Sequence, residues 1–221
     1  MLVSRALTRI KRQFGDEYGV VIQDNDEIYG WILDAETDII RTTGCNSKTV
    51  TVPEQNFPFS LPPMVNIERV ALDGIPLGYI AVEELDLLGL STTADGDPRY
   101  WYKIMSTDPV WPGDTVNHVV HIWPTSTQNR NFTISYVLMP MVMTNSTPDQ
   151  NEFTVPEAFH EDVIKYCIGR AHNKNNNLQA EKMQMDLYDR NLNIRRDEVQ
   201  NADVVLYKIG DPMDFEQVEY D

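Results

Sequence analysis

The residues of this chain that could do chemistry are few and scattered. His118-Val-Val-His121 is the closest pair of histidines, but residues three apart on a strand point to opposite faces and cannot share a metal ion without a bulge. His160-Glu-Asp162 falls in the first turn of a helix, where carboxylates meet the positive end of the helix dipole, a structural role. Glu83, Glu84 and Asp86 lack the glycine and carbonyl-bearing loop of a calcium site, and Asp95-Gly-Asp-Pro98 reads as a turn. Neither a nucleophile elbow nor a glycine-rich phosphate loop is present. Cys45 and Cys167 have no metal or redox spacing, which predicts free thiols and a reducing compartment. Trp101, Trp111 and Trp123 with Tyr100 and Tyr102 could stack on a sugar, although such aromatics more often fill a core or an oligomer contact. The expectation is a protein without catalytic residues, metal or cofactor.

Charge narrows the partners. The 221 residues carry 34 Asp and Glu against 18 Lys and Arg, a net charge of −16, and the pI is near 4.5. Such a surface repels nucleic acid backbones and anionic membranes. The N-terminal stretch lacks the apolar core of a signal peptide, and no apolar run has the length of a membrane span. Synthesis and folding in a cytoplasm are expected.

The elements that would position these residues follow from periodicity. Val3, Ala6, Leu7, Ile10 and Phe14 predict a helix over 3–14 whose other side bears Arg5, Arg9, Lys11 and Arg12, cations suited to acidic neighbours. Asp24 and Glu27 form a capping box ahead of a second helix over 26–42, with Ile28, Trp31, Ile32, Ala35 and Ile39 on one face. Residues 46–150 change character, with prolines at 53, 58, 62, 63 and 76 and β-branched and aromatic runs. Strands are predicted at 48–52, 65–72, 76–80, 100–105, 116–123 and 132–138, with Asp73-Gly74 as a two-residue hairpin turn and a short helix over 81–88.

Thr154-Val-Pro-Glu157 predicts a capping box for a helix with Phe159, Val163, Tyr166, Cys167 and Ala171 inward and Glu161 and Asp162 toward solvent. The asparagine run to Asn177 breaks it. A second helix follows, with Leu178, Met185, Leu192 and Val199 at seven-residue steps and Met183, Leu187, Tyr188 and Ile194 widening the stripe. The fold class is therefore α+β: a helical layer from 1–45 and 151–199, an inserted antiparallel β-domain over 46–150, and an acidic extended arm over 200–221. In that arm Val204, Leu206, Tyr207, Ile209 and Phe215 are too apolar for a spacer, and Val204–Ile209 is expected to add a strand or fill a groove on a partner.

Taken in order, LPPMVNIERVALDGIPLGYIAVEELD, GDPRYWY, HIWPTS, FTISYVLMPMVM and FTVPEAFHEDVIKYCIGRA, preceded by two helices with Trp31-Ile-Leu-Asp-Ala35, resemble the head-to-tail adaptor, or head-completion, proteins of tailed double-stranded DNA phages. The resemblance spans 1 to about 195. It implies a virion protein without catalysis, forming a dodecameric ring beneath the portal, contacting the tail tube or nozzle protein, and passing DNA through its channel without specific binding. Arg5, Arg9, Arg12, Met183, Tyr188, Leu192, Val204, Leu206, Tyr207, Ile209 and Phe215 are the expected subunit or portal contacts. The alternatives are another tail or baseplate component, or a carbohydrate-binding β-module built on the aromatic cluster.

Overall fold

The computed structural model describes residues 2–15, 22, 25–87, 96–106, 117–125, 130–140 and 151–209. The fold is α+β, and the chain divides into two units: Met1–Cys45 with Pro140–Asp221, and Asn46–Met139.

In the helical unit, α1 (Val3–Phe14) buries Val3, Ala6, Leu7 and Ile10 and ends at Gly15, whose φ of 83° suits a left-handed cap. Helix α2 (Asn25–Thr43) buries Ile28, Trp31, Ile32, Ala35 and Ile39, the stripe read from its periodicity; Asp24, read as its cap, lies outside the described residues. Helix α4 (His160–Lys174) is the element on which the others pack: α1, α2 and α5 (Leu178–Ile209) all contact it. Its buried set of Val163, Ile164, Cys167, Ile168, Gly169 and Ala171 is wider than one stripe, as a helix covered on several sides requires. Gly169 has a packing reason, because a Cβ there would stand 3.0 Å from the Met185 sulfur on α5. The Asn-rich break behaves as read: Asn176 adopts φ 55° and the Asn177 carboxamide oxygen accepts the Ala180 N–H that opens α5.

Three expectations are corrected here. The Thr154/Glu157 capping box does not form: a 3₁₀ turn (Glu157–Phe159) intervenes with no side-chain cap, and the Thr154 and Val155 N–H groups donate instead to Glu36 of α2. Asp162 is buried rather than solvent-facing, because α5 supplies it with donors. Helix α5 runs from Leu178 to Ile209, so residues 200–209 are helical where an extended arm was expected. The seven-residue series of Leu178, Met185, Leu192 and Val199 continues at Leu206, which extends the helical pattern past the point where acidic residues begin to accumulate. Residues 210–221 lie outside the described set.

Among the described residues the β unit contains two 4-stranded sheets, one ordered β1 (Ser47–Pro53), β8 (Asn131–Leu138), β3 (Met64–Leu72), β4 (Ile75–Pro76) and the other β2 (Phe59–Leu61), β7 (Asn117–Trp123), β6 (Tyr100–Ser106), β5 (Gly78–Tyr79). Strands β1 (Ser47–Pro53), β3 (Met64–Leu72), β6 (Tyr100–Ser106), β7 (Asn117–Trp123) and β8 (Asn131–Leu138) match the predicted runs within a residue or two. Inward side chains of both sheets, among them Val52, Val70, Phe132 and Ile134 with Leu61, Trp101, Val120 and Ile122, form one core. Asp73 and Gly74, at φ 51° and 87°, make the hairpin turn from β3 to β4 (Ile75–Pro76), both central residues left-handed as a type I′ turn demands.

Two features escaped the pattern. Strand β2 (Phe59–Leu61) sits between Pro58 and Pro62 and is tolerated because it lies at a sheet edge. Strand β5 (Gly78–Tyr79) pairs parallel to β6, so the β-domain is not wholly antiparallel; a Cβ on Gly78 would meet the Tyr100 ring at 3.0 Å, which is why the chain can pass so close. The short helix α3 (Val82–Leu87) plants Leu85 beside Ile80, Tyr102 and Trp123. Glu54, also buried, faces Arg130 at 3.7 Å, and Arg130 reaches Asp97 at 3.4 Å.

Candidate functional site

Among the described residues no group of three or more His, Cys, Asp or Glu could hold a metal ion. The histidines are packed instead. His121 stacks on Tyr102 with ring centroids 4.8 Å apart, and burial lowers its pKa. His160 is buried, with Nε2 3.1 Å from the Val155 carbonyl and its ring against Phe153; desolvation again lowers its pKa. Trp101, Tyr102 and Trp123 belong to the β-unit core, whereas Tyr100 is exposed, its ring 6.0 Å from that of Trp123; Trp111 lies outside the described residues. Both cysteines are free, and desolvation pushes both thiols up, away from reactive thiolate.

What the helical unit holds is a set of polar ties that fix its surfaces. Asp162, in the first turn of α4, accepts from Asn191 at 2.7 Å and from Arg195 Nε at 3.1 Å, with Lys165 Nζ at 3.4 Å. All four groups lie on the α4–α5 hairpin, so the buried charge sets the register of the two helices. Glu36 ties α2 to the segment before α4: one oxygen accepts the Thr154 N–H at 2.5 Å and the Val155 N–H at 3.1 Å. Burial raises this carboxyl to about 7, the hydrogen bonds opposing the shift only in part. Glu36 occupies an otherwise apolar i, i+4 row with Ile28, Ile32 and Ile40, the one sequence signal that could have exposed it. At the α2–α5 contact the Tyr188 hydroxyl donates to Asp38 at 2.7 Å, and Tyr166 meets the Tyr188 ring edge-on at 5.2 Å.

The residues read from sequence as contacts separate into inner and outer groups. Tyr188 and Leu192 are 1% and 6% exposed, inside the unit and unavailable to a neighbour, whereas Met183, Leu187 and Ile194 are 57%, 42% and 50% exposed. At 100° per residue the second group lies nearly opposite the first, so α5 is apolar on two sides and only one is covered. Arg9 forms a two-pronged ion pair with Glu161 of α4, meeting an acidic neighbour within its own chain. Arg5 is exposed at the rim of a pocket of about 410 Å³ with Leu2, Glu152, Phe153, Glu157 and His160. Arg12, also exposed, sits in the last turn of α1. Val204, Leu206, Tyr207 and Ile209 are on α5 with helical rather than extended backbone; Phe215 lies outside the described residues.

A family model described as SU10 adaptor protein matches residues 1–206 of the chain. No curated protein matches it significantly. No described helix is long and apolar enough to cross a membrane.

Two outcomes follow from this geometry. Because the folded pKa of Glu36 lies above the ordinary 4.5, its protonated form stabilises the fold: the contribution is fully present below about pH 4.5 and lost as pH rises through about 7. Glu36→Gln keeps an acceptor without the charge. Its stability relative to the natural protein should therefore rise between pH 5 and pH 8, by up to about 3 kcal/mol, in urea titrations; a difference flat across that range would refute it. Leu192→Asp should cost roughly 3 kcal/mol or more, whereas Ile194→Asp, two residues on, should change stability by no more than about 0.5 kcal/mol, measured by thermal unfolding.

Proposed function

We propose, from the premise that the chain belongs to the SU10 adaptor protein family, that it forms a ring that joins the portal of a phage capsid to the tail and continues the DNA channel. Membership makes the chain a structural adaptor of a phage virion, a class of protein that works by being placed between others. The ring, its dodecameric count, the portal and the tail tube or nozzle protein as partners, and the head–tail junction as location are the finer parts of the reading.

The observation that favours assembly is the second apolar side of α5. Met183, Leu187 and Ile194 stand exposed on a helix whose opposite side is already packed on α4 and α2. Removing such side chains from water is favourable by about 25 cal/mol per Å² of apolar area, and their alignment on one side of the helix, with the exposed Arg190 between Leu187 and Ile194, suits a contact with another surface. The helix is also long. At about 1.5 Å per residue, α5, with 32 residues, exceeds α4, with 15, and because Arg195 already reaches Asp162 in the first turn of α4, residues 196–209 continue past that turn. The net charge of −16 suits a channel that lets DNA slide, since a wall that neutralised phosphates would release counterions and grip.

Size-exclusion chromatography of the chain mixed with purified portal rings tests this. The expected result is co-elution at a fixed ratio, with no retardation of duplex DNA by the complex at physiological salt. Separate elution at every mixing ratio would remove the portal-binding role, and firm DNA retention would remove the non-gripping channel.

A further inference from the structure

Among the described residues the two sheets of the β unit end in four edge strands, and three of these are blunted. Strand β2, with three residues, lies between Pro58 and Pro62, and β4 and β5 have two residues each, too short for a foreign strand to gain much by adding there. Beyond β5, helix α3 packs against β6. The fourth edge, β1, is different. It is seven residues long and pairs with β8 from Ser47 opposite Val137 to Pro53 opposite Asn131 without a register shift. Among the described residues no strand lies on its other side.

The ladder itself says which backbone groups of β1 are open. The Glu54 N–H donates to the Arg130 carbonyl and the Leu138 N–H to the Asn46 carbonyl, both in the register of the strand pair, so the even residues from Asn46 to Glu54 face β8. In an antiparallel ladder the alternate residues turn their N–H and C=O outward. Ser47, Thr49 and Thr51 therefore aim their N–H and C=O groups away from the sheet, and no described residue pairs with them there. Their side chains are exposed, and two of them are fastened to their own sheet: the Ser47 hydroxyl donates to Glu68 at 2.6 Å, and the Thr49 hydroxyl lies 3.1 Å from that of Ser135. The strand is thus held straight with its outer edge unpaired. Open donors and acceptors at this spacing fit one kind of occupant, another extended strand. Of the described edge strands, β1 is also the one long enough to supply it.

We propose that two copies of the chain pair through β1, antiparallel, about a two-fold axis at Thr49. In that register Thr49 exchanges two hydrogen bonds with Thr49 of the second copy, and Ser47 pairs with Thr51 on either side, so every open residue of both edges is used. Hydroxyl side chains then stand opposite hydroxyl side chains, a favourable cross-strand pairing, and Lys48 stands opposite Val50. The neighbouring register on one side would set Lys48 against Lys48 and call on Cys45, whose N–H already donates to the Thr43 hydroxyl. The neighbouring register on the other would set Ser47 against Pro53, which has no N–H to give. The pair joins two sheets of the order β4-β3-β8-β1 at their β1 edges, and it closes on itself, because each edge is consumed by the other. Copies related by rotation about a single ring axis have no two-fold between them. The contact therefore belongs to the free chain and does not rest on the ring reading.

Sedimentation equilibrium of the full-length chain, from low micromolar to about 100 µM, tests this in the range where so small a contact would hold. The natural chain should dimerise. Thr49→Pro removes the N–H at the two-fold axis from both copies at once, and it spares the ladder to β8 because that N–H faces outward. Thr49→Ala keeps the N–H and loses only the side chain. Thr49→Ala should therefore dimerise as the natural chain does, and Thr49→Pro at least about tenfold more weakly, with unchanged thermal unfolding showing that each variant is folded. In hydrogen exchange, the Thr49 and Thr51 amides of the natural chain should slow as concentration rises. A natural chain that stays monomeric throughout overturns the proposal, and so does a dimer that Thr49→Pro leaves intact, which would use another surface such as α5. If Thr49→Pro does not fold, exchange in the natural chain decides: Thr49 and Thr51 rates that are the same at every concentration overturn it. A monomeric natural chain that co-elutes with portal rings only when Thr49 keeps its N–H would give the edge to a strand of the portal, and that too overturns the self-pairing.

Discussion

One buried carboxylate constrains the helical unit more than any other group. Asp162 is 1% exposed, and a charge so placed survives only with its partners in position, because removing one leaves the other uncompensated in a medium that solvates it poorly. Its donors Asn191 and Arg195 are on α5, so the two helices can slide past each other only by losing them. Gly169 against Met185 permits the close approach along the same hairpin. Since α1, α2 and α5 all rest on α4, the register that Asp162 sets also decides which side of α5 faces away from α4.

Glu36 makes a second tie of a different character. It satisfies two backbone N–H groups of the segment leading into α4, which would otherwise be costly inside the unit. Its proton affinity is raised because the site excludes water. The two carboxylates divide the work: Asp162 holds α4 to α5, and Glu36 holds the entry to α4 against α2. A unit fixed in this way presents its outer sides as preformed surfaces, which is what a structural adaptor requires, since ordering a surface at the moment of assembly would cost affinity.

Much of this was legible in the sequence where one physical signal acts alone. The stripes of α1 and α2 follow period 3.6; Asp73-Gly74 can adopt the left-handed angles of a tight turn; β8 alternates Phe132 and Ile134 with polar neighbours. The signals failed where two principles compete. Thr154 and Glu157 have capping-box spacing, but a buried Glu36 takes the N–H groups first. Pro58 and Pro62 argue against a strand, yet an edge position tolerates them. Val204 to Tyr207 reads equally as a β-branched run and as the continuation of a heptad, and the helix already under way from Leu178 decides it. Tyr188, Leu192 and Met183 are all apolar on one helix, and periodicity alone does not say which of two apolar sides is inside.

The central claim is that α4 is interior to each protomer while the second apolar side of α5, with Met183, Leu187 and Ile194, is what another subunit meets. Electron cryomicroscopy of the chain bound to its portal measures this directly. The expected result is a closed collar in which α4 is surrounded by α1, α2 and α5 of its own chain and density from another subunit covers Met183, Leu187 and Ile194. A portal with no added collar, or a collar whose protomers touch elsewhere while that side of α5 stays open to solvent, would contradict it.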